Sequence, residues 1–254
     1  MSMKIDLTGK TILVTGASRG IGRALAEGLA EAGATVAAHY NQNRAAAEDL
    51  AETLGNAARA FQADLADPAS CERLFRDSVD TYGRLDVLVN NAGVAPNLSP
   101  DMPLYKWLEG WDLTMAVNLR AVELLSRLAV DHFRQYDGGR IINVASRAAF
   151  RGDSPGYMTY AASKGGVVAL TRSIARAYGK AGICSFVLAP GFVRTEMAQE
   201  VIDEHGEERV TGDLALDRLT EPADLAPLVV LLASGLADHA TGGTFDLNAG
   251  SYVH

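Results

Sequence analysis

Short apolar runs alternate with amphipathic stretches along almost the whole chain, and this alternation predicts the elements and their arrangement. Buried strands are predicted at residues 12–14, 35–38, 87–89, 140–144 and 183–188. Between these runs apolar residues recur with helical spacing, as Ile21, Leu25 and Leu29 do in the first interval. Strands that alternate with helices of this length indicate βαβ crossovers, and therefore an α/β fold with a parallel sheet covered by helices on both faces.

One segment departs from this alternation. Residues 196–208 contain six acidic side chains and neither lysine nor arginine, while Met197 and Val201 mark an apolar helical face. Two interpretations stay open: a substrate lid over residues 194–215, or a surface helix that is merely solvated. No low-complexity linker or repeat interrupts the rest of the chain, so residues 1–254 are predicted to form a single domain.

Composition and charge narrow the function classes. The 254 residues carry a formal net charge of −8, which argues against a nucleic-acid-binding protein because phosphate neutralisation needs a basic surface. No apolar run approaches the ~18 residues that cross a bilayer, and the first residues lack the apolar core of a secretion signal. Cys71 and Cys184 are far apart and without metal-ligand spacing, which favours reduced thiols, no bound metal and a cytoplasmic location.

A glycine-rich loop follows the first predicted strand and leads into the first predicted helix. Gly16, Gly20 and Gly22 let the backbone turn sharply and approach a ligand closely. The unpaired N–H groups and the partial positive charge of a helix N-terminus suit a pyrophosphate, so the context indicates a dinucleotide site. Because the spacing G-x-x-x-G-x-G differs from the commoner G-x-G-x-x-G, a tight turn without a ligand stays an alternative.

The residues after the second predicted strand favour NADP(H) over NAD(H). Folds that prefer NAD place an acidic residue about 20 positions beyond the glycines, where it binds the ribose 2′-hydroxyl. Residues 35–44 contain no acidic side chain, so nothing there repels a 2′-phosphate. Arg19 and Arg44 can supply positive charge and Asn41 a hydrogen-bond donor, although two solvent-exposed arginines without a ligand would give the same sequence.

Tyr160 and Lys164 lie four residues apart at the start of a predicted helix, so their side chains share one face. A phenol with an ordinary pKa of ~10 needs about 4 kcal/mol of differential stabilisation to titrate near pH 7. One cation at ~4 Å in an effective dielectric of ~20 supplies about that much, so the pair suits acid/base chemistry. Gly165 and Gly166 follow directly, and a close-packed helix face without chemistry stays the alternative.

Taken in chain order, these motifs resemble the short-chain dehydrogenase/reductase family over almost the whole chain. The matching motifs are Thr15-Gly16 to Gly22, Asp64-Leu65, Asn90-Asn91-Ala92-Gly93, Asn118, Ser146, Tyr160-x-x-x-Lys164 and Pro190-Gly191-x-x-x-Thr195. The resemblance implies a Rossmann-like, doubly wound parallel sheet and an NADP(H)-dependent oxidoreductase that acts on CH–OH groups. It also implies a homo-oligomer, a tetramer or a dimer, built on the long helices near residues 112–135 and 157–180.

The resemblance assigns roles to the matching residues. Tyr160 is expected to be the general acid/base that protonates the carbonyl oxygen, and Ser146 to hydrogen-bond that oxygen. Lys164 is expected to hold the nicotinamide ribose and to lower the pKa of the tyrosine, while Asn118 supports a proton relay. The loop and the resemblance together predict a cofactor site made of Gly16, Ser18, Arg19, Gly20, Ile21, Gly22, Tyr40, Asn41, Arg44, Asp64, Leu65, Asn91, Ala92, Gly93, Tyr160, Lys164, Pro190, Gly191, Val193 and Thr195.

The predicted function is the NADPH-dependent reduction of a ketone or aldehyde to an alcohol, or the reverse reaction. The resemblance is nearest to the 3-oxoacyl-thioester reductases, but the acidic segment 196–208 would repel an acidic carrier protein, so a free small carbonyl compound stays equally open. Arg147 and Arg151, expected at the pocket rim, suit an anionic substrate group or are simply solvated. Two other classes stay open: an NAD-linked alcohol or polyol dehydrogenase, and a non-catalytic dinucleotide-binding sensor.

Overall fold

The computed structural model describes residues 5–196 and 211–253 and is built around one parallel sheet. Its strands are β1 (Thr11–Val14), β2 (Thr35–Tyr40), β3 (Arg59–Gln62), β4 (Val87–Asn90), β5 (Gly139–Val144), β6 (Ile183–Pro190) and β7 (Thr244–Leu247). They lie in the order β3-β2-β1-β4-β5-β6-β7, and every neighbouring pair is parallel. Parallel neighbours need crossover connections, and helices supply most of them.

Helices cover both faces of the sheet. They are α1 (Gly20–Glu31), α2 (Arg44–Leu54), α3 (Pro68–Tyr82), α4 (Leu104–Met115), α5 (Ala121–Phe133), α6 (Ala148–Arg151), α7 (Met158–Tyr178) and α8 (Ala226–Ser234). The π-helical turn Ala116–Arg120 joins α4 to α5, so these three segments form one long, interrupted helix.

The alternation of side chains along the central strands explains the two core layers. Ile12 and Val14 pack with α1, α2 and α8 on one face of the sheet, whereas Leu13 packs with α3 and α5 on the other. All three side chains are fully buried. Because helices cover both faces, a central strand is apolar at successive positions, which is the pattern that identified it in the sequence.

The doubly wound parallel sheet is confirmed, and the five predicted strands all belong to it. The sequence patterns missed β3 and β7, which are the two edge strands. Arg59 and Gln62 are exposed in β3, and Asp246 is exposed in β7. Neither strand therefore shows the continuous apolar run of a strand that is buried on both faces.

The reversal of strand order between β1 and β4 positions the candidate site. From β1 the chain proceeds outward through β2 to β3, and it then returns to β4 and continues through β5, β6 and β7 in the other direction. At such a switch point the segments beyond the carboxyl ends of the strands diverge and leave a crevice. The segments that follow Val14 and Asn90 border this crevice.

Three further expectations concern features other than the sheet. Most of the predicted lid over 194–215, and most of the acidic segment 196–208, falls on residues 197–210, which lie outside the described residues, so the lid stays a prediction. Within the described part of the chain, no helix is long and apolar enough to cross a membrane. The same part contains no group of three or more His, Cys, Asp or Glu side chains that could hold a metal ion.

Candidate active site

The glycine loop is clamped to the segment that follows β4. Thr15 Oγ1 accepts hydrogen bonds from the backbone N–H groups of Asn91 (2.9 Å) and Ala92 (3.0 Å). Asn91 Nδ2 in turn donates to the carbonyl oxygens of Thr15 (2.9 Å) and Gly16 (3.2 Å). The side-chain amide of Asn91, a predicted cofactor ligand, is therefore engaged in holding the loop.

Close packing explains why the loop is rich in glycine. Gly16 and Gly20 have φ angles of +66° and +53°, in the left-handed region that favours glycine. In the first turn of α1, a Cβ added to Gly22 would lie 2.1 Å from the carbonyl oxygen of Gly16 and 2.5 Å from Asn91 Nδ2. The side chain of Arg19, the N-cap residue of α1, makes no capping hydrogen bond, which leaves this helix end suited to an external anion. The remaining predicted loop residues, Ser18 and Ile21, are half-buried.

The two cations predicted to recognise a 2′-phosphate both pair with carboxylates. Arg44 Nε donates to Glu48 at 2.7 Å, and Arg19 Nη1 donates to Glu196 at 2.9 Å. The side chains of Arg44 and Arg19 are 74% and 70% exposed. Exposed ion pairs of this kind are worth about 0.2–1 kcal/mol, so either guanidinium can exchange its carboxylate for another anion.

Four more predicted cofactor residues lie at or just beyond the ends of β2 and β3. Tyr40 and Leu65 are buried, whereas Asn41 and Asp64 are exposed. The Asp64 carboxylate accepts a hydrogen bond from the N–H of Ala66 at 2.9 Å, which holds the turn after β3. The polar members of this set are thus the exposed ones, at the edge of the sheet where the glycine loop also lies.

Ser146, Tyr160 and Lys164 come together beyond the carboxyl end of β5. Ser146 lies two residues after β5, and its side chain is close enough to that of Tyr160 to lower the pKa of the phenol. Ser146 Oγ also accepts from the N–H of Ala148 at 3.1 Å. Lys164 lies one turn beyond Tyr160 in α7, is buried, and donates from Nζ to the carbonyl oxygen of Val144 at 2.8 Å. Three of the four predicted catalytic side chains therefore share one site.

Burial sets the protonation of Tyr160 and Lys164. It raises the pKa of Tyr160 above its ordinary value; the hydrogen bond with Ser146 opposes this shift, and the Asp153 carboxylate adds to it. Burial also lowers the pKa of Lys164 from 10.5 to about 8. The pKa of Tyr160 thus lies above its ordinary value in the protein without a ligand, and the lowering expected from Lys164 stays a prediction. Lys164 Nζ lies 5.8 Å from the centre of the tyrosine ring, and burial is the largest cause of the raised pKa of Tyr160.

Asn118 lies fully buried in the π-helical turn between α4 and α5. Its Oδ1 accepts from the N–H of Val94 and its Nδ2 donates to the carbonyl oxygen of the same residue, both at 2.8 Å. Nδ2 also donates to Ser163 Oγ at 3.2 Å. A Cβ added to Gly93 would be 3.4 Å from both Asn118 Oδ1 and Lys164 Nζ, so the two polar atoms border one small space. Single π-helical turns are frequent at functional sites, and this one brings Asn118 to the lysine.

The segment after β6 returns the chain to the glycine loop. A Cβ added to Gly191 would lie 2.7 Å from Asn248 Cα, so close packing excludes a side chain there. Val193 is buried. Thr195 Cγ2 would be 3.4 Å from a Cβ added to Gly20, so this segment reaches the loop that follows β1. The predicted residues that follow Pro190, the last residue of β6, therefore lead from this strand to the glycine loop.

Arg147, expected at the rim of the pocket, is held within the protein. Its N–H donates to the carbonyl oxygen of Pro190 at 2.9 Å, and its guanidinium donates to Ser251 Oγ at 2.5 Å. Burial lowers the pKa of Arg147, and the neighbouring Arg151 acts in the same direction. Arg147 is therefore half-buried beside Ser146, while Arg151 is exposed.

Sequence patterns missed one residue that touches the glycine loop. His39, in the apolar strand β2, is buried, and its ring is hydrogen-bonded to the backbone of Gly16. The available signal was a single histidine inside an otherwise apolar strand, which does not say what the ring contacts.

Comparison with known proteins covers nearly the whole chain. A family model described as enoyl-(acyl-carrier-protein) reductase matches residues 16–251. A 3-oxoacyl-[acyl-carrier-protein] reductase of Vibrio cholerae is 35% identical over 249 residues, which are 98% of this chain and 100% of the relative. An L-rhamnose 1-dehydrogenase (NAD(P)(+)) of a Sphingomonas species is 39% identical over 256 residues, with 98% of each protein covered.

Solved structures agree with this placement. A dehydrogenase/reductase from Sinorhizobium meliloti superimposes with a TM-score of 0.91 at 35% identity, covering 98% of both chains. A blue fluorescent protein from a metagenomic library, in complex with NADPH, gives 0.90 at 35% identity, covering 98% of this chain and 100% of the other. A 3-ketoacyl-(acyl-carrier-protein) reductase from Brucella melitensis, complexed with NADH, gives 0.89 at 31% identity with the same coverage. By its sheet, its ordered motifs and its relatives, this chain belongs to the short-chain dehydrogenase/reductase family and is an NAD(P)-dependent oxidoreductase.

Proposed function

We propose that this protein reduces a ketone or aldehyde to an alcohol with NADPH, or catalyses the reverse reaction, with Tyr160 as the general acid/base. The observation that supports this most directly is the juxtaposition of Ser146, Tyr160 and Lys164: Lys164 is buried one helical turn from Tyr160, and its Nζ donates to the carbonyl oxygen of Val144, two residues before Ser146. Two neighbouring hydroxyl groups can both donate to one carbonyl oxygen. A bound nicotinamide supplies or accepts the hydride.

The raised pKa of Tyr160 suits the reductive direction. At neutral pH the phenol stays protonated, so it can donate its proton to a carbonyl oxygen that becomes negative. The Ser146 side chain lowers the pKa of the phenol and so stabilises the phenolate that remains; the Lys164 ammonium, 5.8 Å from the ring centre, is proposed to stabilise it further. With a pKa of about 8, Lys164 is still mainly protonated at pH 7, so its charge is present when the phenolate forms.

Asn118 is proposed to support the return of a proton to Tyr160 through Lys164. Its side-chain amide is fixed by the two backbone hydrogen bonds to Val94, and its Oδ1 borders the same space beside Gly93 as Lys164 Nζ. A carbonyl oxygen held in that orientation can accept a hydrogen bond from the lysine side of the site. Asn118 is therefore proposed to orient a hydrogen bond from the lysine side of the site, and not to gain or lose a proton itself.

The glycine loop and the N-terminus of α1 are proposed to hold the pyrophosphate, and the residues around the end of β2 to favour NADPH over NADH. A Cβ at Gly22 would collide with the carbonyl oxygen of Gly16, so the glycine lets α1 begin directly against the loop, as a dinucleotide site requires. Arg19 and Arg44 are the proposed 2′-phosphate ligands, each after releasing its carboxylate. One related structure contains NADPH and another contains NADH, so the preference is a matter for measurement.

For the substrate, a 3-oxoacyl thioester is the first candidate because the Vibrio cholerae relative is named for that reaction. An NAD(P)-linked polyol or sugar dehydrogenase is the second candidate, because the 39% identical relative from Sphingomonas is an L-rhamnose 1-dehydrogenase. Both reactions interconvert a carbonyl group and an alcohol, and both use the same proposed acid/base.

The test follows NADPH oxidation with acetoacetyl-coenzyme A, and NADP⁺ reduction with L-rhamnose, in the wild type and in Tyr160→Phe. The variant is expected to lose about 10²–10⁴-fold in kcat, because it loses only the proton-transferring hydroxyl. Tyr178→Phe, the same change at the far end of α7, is the matched control and is expected to keep full activity.

Three outcomes separate the candidates. Turnover of acetoacetyl-coenzyme A supports the thioester reductase, and turnover of L-rhamnose supports the polyol dehydrogenase. Crotonyl-coenzyme A is included because the matching family model is described as an enoyl reductase, and its exclusive reduction would contradict carbonyl chemistry. A Tyr160→Phe protein as active as wild type would contradict the proposed acid/base.

The protein is also proposed to form a homo-oligomer through α4, α5 and α7. Leu113 on α4 is 45% exposed and Met158 at the start of α7 is 58% exposed, so these helices present apolar side chains to the outside. Light scattering across micromolar concentrations is expected to give a dimer or tetramer mass. A monomer mass over that whole range would contradict the proposal.

A further inference from the structure

The imidazole ring of His39 bridges the backbones of two neighbouring strands. His39 lies next to the last residue of β2 and is 2% exposed. Its Nδ1 accepts a hydrogen bond from the N–H of Gly16 at 3.0 Å, and its Nε2 lies 3.1 Å from the carbonyl oxygen of Ala63. Since a carbonyl oxygen only accepts, Nε2 carries the proton and the ring is the neutral Nε2–H tautomer. β2 lies between β1 and β3, so one ring links the segments that leave both neighbours.

Within the described residues, the N–H of Gly16 has its hydrogen bond to His39 Nδ1 and none to the strand ladder. At φ +66° the chain turns out of β1 at this residue, and the next N–H, that of Ala17, already bonds to the carbonyl oxygen of His39 at 2.8 Å. The carbonyl oxygen of Gly16 accepts from Asn91 Nδ2 at 3.2 Å. Both backbone polar groups of Gly16 are therefore held by side chains, the N–H by His39 and the carbonyl oxygen by Asn91.

We propose that His39 is a positioning residue for the dinucleotide: its Nδ1 fixes the Gly16 peptide and thereby the path of the glycine loop into α1. The ring does not need to touch the cofactor for this role. A buried backbone N–H that loses its acceptor carries its full desolvation cost, so the loop would have to move to find another partner. That movement would shift the N–H groups of the first turn of α1, where the pyrophosphate is expected.

The protonation of the ring agrees with this role. Burial lowers the pKa of His39 to about 4, so the ring stays neutral at physiological pH and Nδ1 remains an acceptor. A protonated ring would present N–H groups to both Gly16 and Ala63 and would lose the bond to Gly16.

Three substitutions at His39 separate the acceptor from the rest of the ring. His39→Asn places an amide oxygen the same number of bonds from Cα as Nδ1, so it keeps an acceptor for the Gly16 N–H. His39→Gln places its polar atoms at the distance of Nε2 and loses that acceptor, and His39→Leu keeps bulk but no polar atom. We expect the Kd for NADPH, measured by fluorescence titration, to rise about tenfold in His39→Gln and His39→Leu. In His39→Asn it should rise less than about threefold. The kcat at saturating cofactor should change by less than about threefold, since the Ser146, Tyr160 and Lys164 site is untouched.

His132 is the matched control for a histidine that is only structural. It is also buried, and its Nε2 accepts from the N–H of Leu85 at 3.1 Å, next to the start of β4 and away from the glycine loop. His132→Leu is expected to lower the urea unfolding midpoint without changing the Kd for NADPH. If His39→Leu does not fold, the comparison of the Asn and Gln variants decides alone.

The outcomes do not depend on turnover, because binding is the measured quantity and NADH can replace NADPH in the titration. Equal losses of affinity in His39→Asn and His39→Gln would overturn the proposal, as would wild-type affinity in His39→Gln. A fall in kcat with an unchanged Kd would overturn it as well. Absence of carbonyl reduction in the wild type would contradict the proposed function but leave this inference standing.

Discussion

Replacing Gly22 by alanine tests whether close approach of α1 to the glycine loop is what forms the cofactor site. The added Cβ would stand 2.1 Å from the carbonyl oxygen of Gly16, whereas a carbon and a carbonyl oxygen normally approach to about 3.3 Å. The helix start or the loop must therefore move by about 1 Å. Asn91 Nδ2 and the ring of His39 hold the Gly16 peptide, so the loop cannot move without losing hydrogen bonds.

The Gly22→Ala substitution should therefore weaken cofactor binding more than it weakens the fold. Overpacking costs about 1–3 kcal/mol of unfolding free energy, and the better helix propensity of alanine returns up to ~1 kcal/mol. A displacement of about 1 Å at the first turn of α1 is expected to raise the Kd for NADPH by about 10²-fold. Fluorescence titration measures the Kd, and urea unfolding measures the stability of the same variant.

Gly179→Ala is the control for the Gly22 experiment. Its added Cβ would have no atom within 4 Å, and it lies just beyond the end of α7. It should bind NADPH like the wild type. If Gly22→Ala also bound NADPH within threefold of wild type at an unchanged unfolding midpoint, the reasoning from the 2.1 Å contact would be refuted.

Two further predictions concern charge. The pKa of Lys164 falls from 10.5 to about 8 on folding, so its ammonium opposes folding fully below pH 8, and this cost disappears as the pH rises to 10.5. Lys164→Met should therefore have a free energy of unfolding about 1–3 kcal/mol higher than that of the wild type at pH 7, measured by urea unfolding. A difference between the two proteins that stays constant up to pH 10.5 would contradict this reasoning. Arg19→Ala should weaken NADPH binding about tenfold but leave NADH binding unchanged. Glu196→Gln removes the carboxylate that competes for Arg19, so it should strengthen NADPH binding slightly. Equal losses for both dinucleotides in Arg19→Ala would show that the arginine does not recognise the 2′-phosphate.

The central sheet could be predicted because its strands are buried on both faces. Strands such as β1 and β6 carry apolar residues at successive positions, and the sequence shows this run without any knowledge of which strands pair with them. The edge strands β3 and β7 could not be found in this way, because each has one side open to solvent and carries polar residues. Their place in the sheet depends on pairing with β2 and β6.

The candidate site, too, could be predicted from the sequence only in part. The spacing of Tyr160 and Lys164 is local, because four residues make one helical turn, so the shared helix face follows from the sequence. The protonation of the two groups is not local. The spacing alone suggested a lowered tyrosine pKa, but burial, which depends on how the whole chain packs, raises the pKa of Tyr160 and lowers that of Lys164.

The fold class, the order of the motifs and the residue types that can exchange a proton or receive a pyrophosphate all follow from local spacing and side-chain chemistry, so the sequence is enough to predict them. Which groups meet depends on the folded chain. His39 reaches Gly16 and Ala63 across 23 and 24 residues of chain, and Asn118 reaches Ser163 across 45. Such contacts, and the burial that shifts pKa values, depend on how strands and helices pack in space, which no spacing along the chain specifies.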